Sequence, residues 1–399
     1  DALNARADAA ELIVLDANPI DAAYITPKLL WLKTHEARIF EASDCFLTAS
    51  GFIVARMTGA FTCDFTQAYG YHFFDIAHEC WDAEAARQIG VPRDKMPRLC
   101  ACTEIVGVLT ASAAEQMGIP AGIPVIAGCL DAASGALGSG VTRLGQTNEQ
   151  GGSAGGFAVS LDHVVIEPQL IFSHHVLPGQ YLLQAGTVGG GSLGWFRDIL
   201  NEPNTPFEQF SALAEQTSAG SNGLIFIPYM AGERTPLWSS SARGVFFGLS
   251  YKTSRADMVR AMMEGCAYAV YDNMKVAEAK GVLIRECLGS GGATQSAVWC
   301  QIKADVYGKP LIVALRDDGG EGGHSLGLYA LTASALGLCD SAGEAVERLL
   351  PKRQVFEPSP KVHAIYEDYF GLYRELSRKL MVDFDHLAEI NRRHSGQIS

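Results

Sequence analysis

The apolar positions of the chain change period several times, and each change marks an element. Residues 2–15 ("ALNARADAAELIVL") carry a helical pattern that Asn18-Pro19 breaks. Leu29, Leu30 and Leu32 with Trp31, set against a charged far side, predict a helix opening near Pro27, a residue favoured in a first turn. Residues 44–62 alternate a short apolar strand with a helix ended by Gly59, and 64–75 are aromatic-rich and read as irregular. Residues 82–90 and 111–118 read as helices separated by Pro92 and Pro97. A β-rich run from Ile123 to Ala127 then feeds through Gly128 into Asp131, and the Ala, Ser and Gly that follow read as a close-packed helix.

After Val141 the pattern turns to alternation. "GQTNEQGGSAGGFAVS" (145–160) predicts a β-hairpin whose glycine tip passes close to something, and strands follow at 170–176 and 181–185. "GTVGGGSLGWFRDIL" passes from a Gly-rich loop into a helix, residues 223–236 form a strand ending in a turn, and 244–250 form another strand. Ser254 and Asp257 make a capping box for a long helix to about Lys280, with Met258, Met262, Cys266, Val270 and Met274 as a core-facing stripe. Residues 286–313 repeat the order of strand, Gly-rich turn (Gly289, Gly291, Gly292) and helix, the helix holding Trp299 and Ile302. A small-residue helix after Glu321, a helix near 341–350 and an amphipathic helix at about 361–380 complete the α/β series.

Two kinds of feature carry chemistry. Asp131 stands where a strand ends and a helix begins, the place at which open α/β sheets hold ligands. Its plain alternative is an N-cap, accepting hydrogen bonds from the first amides of the helix. The Gly-rich turns at 151–153, 189–194 and 289–292 precede strands or helices, and a glycine turn at a helix start exposes amides that can hold phosphate oxygens. Each alone is equally a tight turn, and none completes the GxxxxGK[ST] loop or the full dinucleotide fingerprint. Three such turns and one carboxylate, spread over two domains, point to a nucleotide.

Composition narrows the class. The 399 residues exceed one ordinary core and fit two domains, with 48% hydrophobic residues to fill them. A formal net charge of −13 without a basic patch argues against nucleic acid or an anionic membrane as partner. The ten cysteines are scattered without paired CxxC spacing, which predicts reduced thiols in a cytoplasmic protein and no metal site. No apolar run reaches spanning length and no signal peptide is apparent. The first residue is Asp, set directly in a helical pattern, and the reading is a chain whose beginning is missing.

These blocks together resemble the FGGY family of carbohydrate kinases, of the xylulokinase and gluconokinase kind. "GVFFGLSYKTSRADMVRAMME" (244–264) resembles its downstream signature, and "YITPKLLWLKTHE" (24–36) is similar to its upstream one, with Ile25 where a small residue is usual. "AGERTP", "GGATQSAVWCQIKADVYGKP" and "GCLDAASGALGSG" match further blocks in the family's order, so that the resemblance covers nearly the whole chain.

The resemblance implies an actin-like ATPase (ribonuclease H-like) two-domain fold with the N-terminal domain incomplete. Residues 1–142 would be the remainder of the sugar-side domain and 143–399 the nucleotide-side domain, with ATP and sugar in the cleft between. It implies ATP with Mg²⁺, a sugar, polyol or sugar-acid acceptor, and Asp131 as the general base that takes the acceptor hydroxyl proton. Gly151, Gly152 and Ser153 would approach the phosphates, Gly190 and Gly194 would line the nucleotide site, and Gly291, Gly292, Ala293 and Ser296 would hold the adenosine side. A homodimer would be ordinary for such an enzyme.

Two departures stand out. Gly152 replaces the family's usual Thr, removing a hydroxyl that could reach the γ-phosphate, with Ser153 as a substitute. The family's opening phosphate loop and its Trp-Asp-Arg sugar block lie upstream of anything present. The alternative is therefore a catalytically silent sugar- or nucleotide-binding member. His174 and His175, adjacent on a strand, point to opposite faces and do not suit one metal ion. Glu264 reads as a domain-interface salt bridge rather than an active acid, and His324 is left without a role.

Overall fold

In a computed structural model, residue 3 and residues 7–315, 323–350 and 352–394 are described. The chain divides into two compact units. One gathers residues from 1–144, 160–183 and 322–350, and the other residues from 145–159, 184–321 and 351–399.

In the second unit, strands lie in the order Arg353–Phe356, Leu311–Ala314, Glu286–Ser290, Gln146–Gly151, Ala154–Leu161 and Tyr181–Val188. Glu286–Ser290 runs parallel to both Leu311–Ala314 and Gln146–Gly151, with Ser290 opposite Gln150. Parallel strands in that register end side by side. The Gly151–Ser153 turn and the Gly291–Ala293 turn are thereby brought to one edge of the sheet, at the carboxyl ends of its strands. The predicted hairpin is present, Gln146–Gly151 returning antiparallel as Ala154–Leu161. The long helix Arg255–Ala279 opens with the predicted capping box, both Ser254 and Asp257 bonds being made. It lies against the strand Ile225–Pro228 so closely that a Cβ on Gly265 would come within 2.2 Å of the Phe226 carbonyl oxygen.

The first unit carries the Asp131 junction. The run at 123–127 is a strand, Pro124–Ile126, but it pairs antiparallel with Ile105–Val108 in a two-stranded ribbon. The helix Asp131–Ser139 follows and ends at Gly140 in a left-handed conformation. It packs against Gly323–Ala335 through glycine. A Cβ on Gly138 would lie 1.6 Å from the Gly323 carbonyl oxygen, and one on Gly327 would lie 2.1 Å from that of Ser134. Asn18 ties the chain's beginning to the 160–183 segment, its side chain accepting from the Phe172 amide and donating to the Phe172 carbonyl like a short strand.

Some expectations change. Of the helix predicted over 2–15, the described part is Ala9–Asp16, and residues 1–2 and 4–6 lie outside the described residues. Residues 44–48 form no strand, although Ala49–Thr58 is helical and ends at Gly59 as predicted. The segment 64–75 is ordered: Thr62–Asp64 pairs with Arg98–Cys100, Phe65–Ala68 is a helical turn, and Phe74–Asp75 pairs with Cys80–Trp81. A further helix, Met381–His394, follows the predicted one, which spans Pro360–Lys379. The ten cysteines are free thiols, six of them buried. No helix among the described residues is long and apolar enough to cross a membrane.

The helix crossing makes a testable contrast. Gly327→Ala forces backbone apart from backbone and is expected to lower stability by roughly 2 to 3 kcal/mol. Gly371→Ala, in an exposed helix position with nothing within 4 Å of the added carbon, is expected to raise it by about 0.5 to 1 kcal/mol. Thermal or urea denaturation of the two variants reads both signs.

Candidate functional site

The phosphate-type turns of the second unit meet backbone to backbone. Gly291, at φ +81°, sits where a Cβ would come within 2.8 Å of the Gly151 carbonyl carbon and 2.9 Å of the Gly152 amide nitrogen. A Cβ on Gly151 would in turn lie 2.7 Å from Ala293 Cβ. The third turn closes on the same hairpin tip, the Gly190 amide donating to the Gly152 carbonyl at 2.8 Å and the Gly191 amide to that of Ser153 at 3.1 Å. Gly151, Gly152, Ser153, Gly190, Gly291 and Ala293 thus lie together. Gly292 begins a short 3-10 turn, and Ser296 caps the helix Ala297–Tyr307 by accepting from the Trp299 amide, its hydroxyl 2.7 Å from that of Ser211. Gly194 lies in the helix Gly191–Ile199 with open space beside it.

One expectation about this site is corrected. The start of the Gly191–Ile199 helix does not present free amides. The donors of Gly190 and Gly191 are taken by the hairpin tip, and those of Ser192 and Leu193 by the carbonyls of Gly189 and Gly190. That turn locks the hairpin, and the room for a ligand lies at Gly152, where an added Cβ would meet nothing nearer than the Ala154 carbonyl at 3.5 Å.

Beneath the turns lies an ion pair that pattern reading missed. Lys303 Nζ is 2.7 Å from Glu149 Oε1 and 2.9 Å from Oε2, with the two side chains 4% and 1% exposed. Tyr307 donates to the same carboxylate at 3.3 Å, and the ammonium stands over the Trp299 ring. The place where a Gly151 Cβ would be is 2.7 Å from Lys303 Nζ, so the pair supports the turn directly. A signal existed: Lys303 shares a helical stripe with Trp299 and Tyr307, four residues to either side, and a charge on a buried stripe needs a partner.

In the first unit Asp131 is the first residue of its helix, and Leu130 holds the cap position without a side-chain bond. Asp131 is therefore not itself the N-cap residue, although its carboxylate does accept from an amide of the first turn. Oδ1 accepts from the Ala132 amide at 2.6 Å, and the residue is exposed. The carbonyl of Asp131 is held instead, by Ser134 Oγ at 2.8 Å and His324 Nδ1 at 3.0 Å. The preceding amide, of Leu130, donates to Thr66 Oγ1 at 2.7 Å. That hydroxyl donates in a short bond to buried Asp64, which also accepts from Gln67. Burial, opposed by the bonds from Thr66 and Gln67, pushes the Asp64 carboxyl up to about 6.

The other singled-out groups are structural. His174 Nε2 faces the Ile76 carbonyl and His175 Nε2 that of Val141, each at 3.0 Å, and burial lowers both rings to about 4. Among the described residues no group of three His, Cys, Asp or Glu is placed to hold a metal. Glu264 bonds within its own unit, which corrects the interface expectation. It accepts from Ser221 at 2.7 Å, Arg260 at 2.8 Å, Tyr366 at 2.9 Å and the Gly220 amide at 3.1 Å, and burial raises its pKa.

An α/β chain with glycine turns gathered at strand ends, and a separate helix-start carboxylate, has the parts of a phosphotransferase. The N-terminal domain of the FGGY family of carbohydrate kinases matches residues 1–138, and the family's C-terminal domain matches residues 155–334. Xylulose kinase of Escherichia coli (strain K12) is 32% identical over 371 residues, 92% of this chain and 75% of that protein. Xylulose kinase of Staphylococcus epidermidis is 30% identical over 369 residues, 92% of this chain and 73% of that protein. The crystal structure of ligand-bound xylulose kinase from Lactobacillus acidophilus superposes with a TM-score of 0.88 at 25% identity, over 96% of this chain and 78% of that one. The chain spans about three quarters of these relatives. It belongs to the FGGY family of carbohydrate kinases and has that family's actin-like ATPase fold. It is a sugar kinase.

Removing one partner of the buried pair strands the other charge. Lys303→Met is expected to cost roughly 3 to 5 kcal/mol, and Glu149→Gln added to it to recover most of that loss, both read by urea denaturation. For Asp64 the folded carboxyl keeps its proton to about pH 6 and the unfolded one only to 3.8. The folded state therefore binds more protons in that window, and stability falls as pH rises through it, by about 3 kcal/mol in all. Asp64→Asn, with the Gln67 amide turned to offer its carbonyl, is expected to abolish this part of the pH slope when melts are run from pH 4 to 7.

Proposed function

We propose that this kinase transfers the γ-phosphoryl group of ATP to a hydroxyl of a sugar, polyol or sugar acid, with Asp131 as general base. A pentulose such as xylulose is the first acceptor, because relatives at 30% identity or more carry that name. The observation that carries the reading is the state of Asp131: exposed, bonded at its side chain, among the described residues, only to the adjacent amide, and seated through its backbone. Among the described residues no cation pairs with this carboxylate, which suits it to accept a proton from an alcohol.

As the hydroxyl oxygen attacks the γ-phosphorus, its proton passes to Asp131, the bond to the β-phosphate oxygen breaks, and ADP departs. The first unit supplies the base and the second the phosphate turn. The amides of Gly152 and Ser153 are offered to the phosphoryl oxygens, and the Ser153 hydroxyl stands in for the Thr that Gly152 lacks. Gly291, Gly292, Ala293 and Ser296 form the adenosine side, with Gly190 and Gly194 beside it. Fit to a nucleotide rests on the open space at Gly152, where an added Cβ would meet nothing nearer than the Ala154 carbonyl oxygen at 3.5 Å, beside turns packed backbone to backbone at Gly151 and Gly291. Mg²⁺, carried with ATP, would neutralise charge on the phosphoryl oxygens and needs few protein ligands of its own.

The missing hydroxyl at Gly152 favours one second reading, a member that binds but does not turn over. A coupled assay of the full-length protein across pentuloses, polyols and aldonates separates the two. Turnover is expected with at least one acceptor, and Asp131→Asn is expected to lower kcat by about 100-fold or more. A wild-type rate in that variant removes Asp131 as base, and ATP binding without consumption on any acceptor supports the silent member.

A further inference from the structure

We propose that His324 is a positioning residue for Asp131, fixing the backbone from which the base presents its carboxylate. The proposal rests on the assignment of Asp131 as that base. Asp131 lies in the first turn of its helix, where amides lack helical partners and fraying begins, and the N-cap residue, Leu130, makes no side-chain bond there. The carboxylate's own bond, to the Ala132 amide, turns with the backbone and fixes nothing by itself. Its direction is set by the carbonyl of the same residue, held by Ser134 from the same helix and by His324 Nδ1 at 3.0 Å from another. His324 is 193 positions away in sequence, so its contact orients the turn as a local bond cannot.

The approach depends on glycine. A Cβ on Gly135 would lie 2.7 Å from His324 Cε1 and 2.9 Å from Nδ1, so the imidazole occupies the space that any side chain at 135 would take. The ring is delivered by the helix Gly323–Ala335, whose own place is fixed by the close backbone contacts of Gly138 with Gly323 and of Gly327 with Ser134. With Nδ1 protonated it donates to the Asp131 carbonyl, and a shift of about 1 Å in a reacting group lowers rate by roughly 10- to 100-fold. His324 touches no substrate in this scheme.

The test is steady-state kinetics of the full-length protein with ATP and its fastest acceptor, beside thermal melts. His324→Ala is expected to lower kcat about tenfold while both KM values stay within about twofold, because ground-state binding is untouched. His324→Asn, whose side-chain amide can donate to the same carbonyl, is expected to recover most of the rate. Gly135→Ala displaces the ring from the other side and is expected to copy the kcat loss, yet to add nothing in a His324→Ala background. On Asp131→Asn, His324→Ala is expected to cause no further loss, since it acts through the base. Wild-type kcat in His324→Ala or in Gly135→Ala overturns the proposal, as does a full His324→Ala loss persisting on Asp131→Asn. Should His324→Ala not fold, His324→Asn and Gly135→Ala decide alone. Failure of the base assignment is separately visible, because it appears in Asp131→Asn with His324 intact.

Discussion

The second unit depends on one buried charge pair. Lys303 and Glu149 are both removed from water, and each is tolerable only because the other is within 3 Å. Glu149 lies on a strand that ends in the Gly151–Ser153 turn, and Lys303 on the helix that follows the Gly291–Ala293 turn. The pair therefore joins the two turns from below, as their glycines join them above. A side chain at Gly151 would collide with the ammonium, and an uncharged residue at 303 would leave a carboxylate in the core. Both turns keep their shape because the charge beneath them has no other place to go.

The first unit holds its carboxylate by a different means. Thr66 accepts from the Leu130 amide, and Ser134 and His324 hold the Asp131 carbonyl, so the junction is built from neutral hydrogen bonds to backbone. The carboxylate itself stays exposed, bonded to the Ala132 amide. The Asp64 carboxyl behind Thr66 is a contrasting case, buried, hydrogen-bonded and raised toward neutrality.

What the sequence disclosed was local. The hairpin at 145–160, the capping box at Ser254, the helix end at Gly59 and the strand, glycine turn and helix of 286–307 all depend on residues a few positions apart, and all are present. The order of family blocks extended this to the fold and the class of enzyme. Distant approaches were hidden. The amides of Gly190 and Gly191 read as free donors because nothing nearby announces that a hairpin tip will accept them. Asn18 meets Phe172 and His324 meets Asp131 across more than 150 positions, where hydrophobic period says nothing. The Lys303 stripe lay between these cases, visible as an anomaly but without its partner.

The glycine-to-glycine crossing of Asp131–Ser139 and Gly323–Ala335 also bears on how the chain is made. Roughly 190 residues separate the two helices, and the first unit needs the second of them to cover the small-residue face of the first. During synthesis that face must wait on the ribosome while the whole strand-rich middle emerges, since a helix of Ala, Ser and Gly has little to hold it alone. The unit that begins the chain is thus among the last parts to be completed, and the seat of the candidate base forms late.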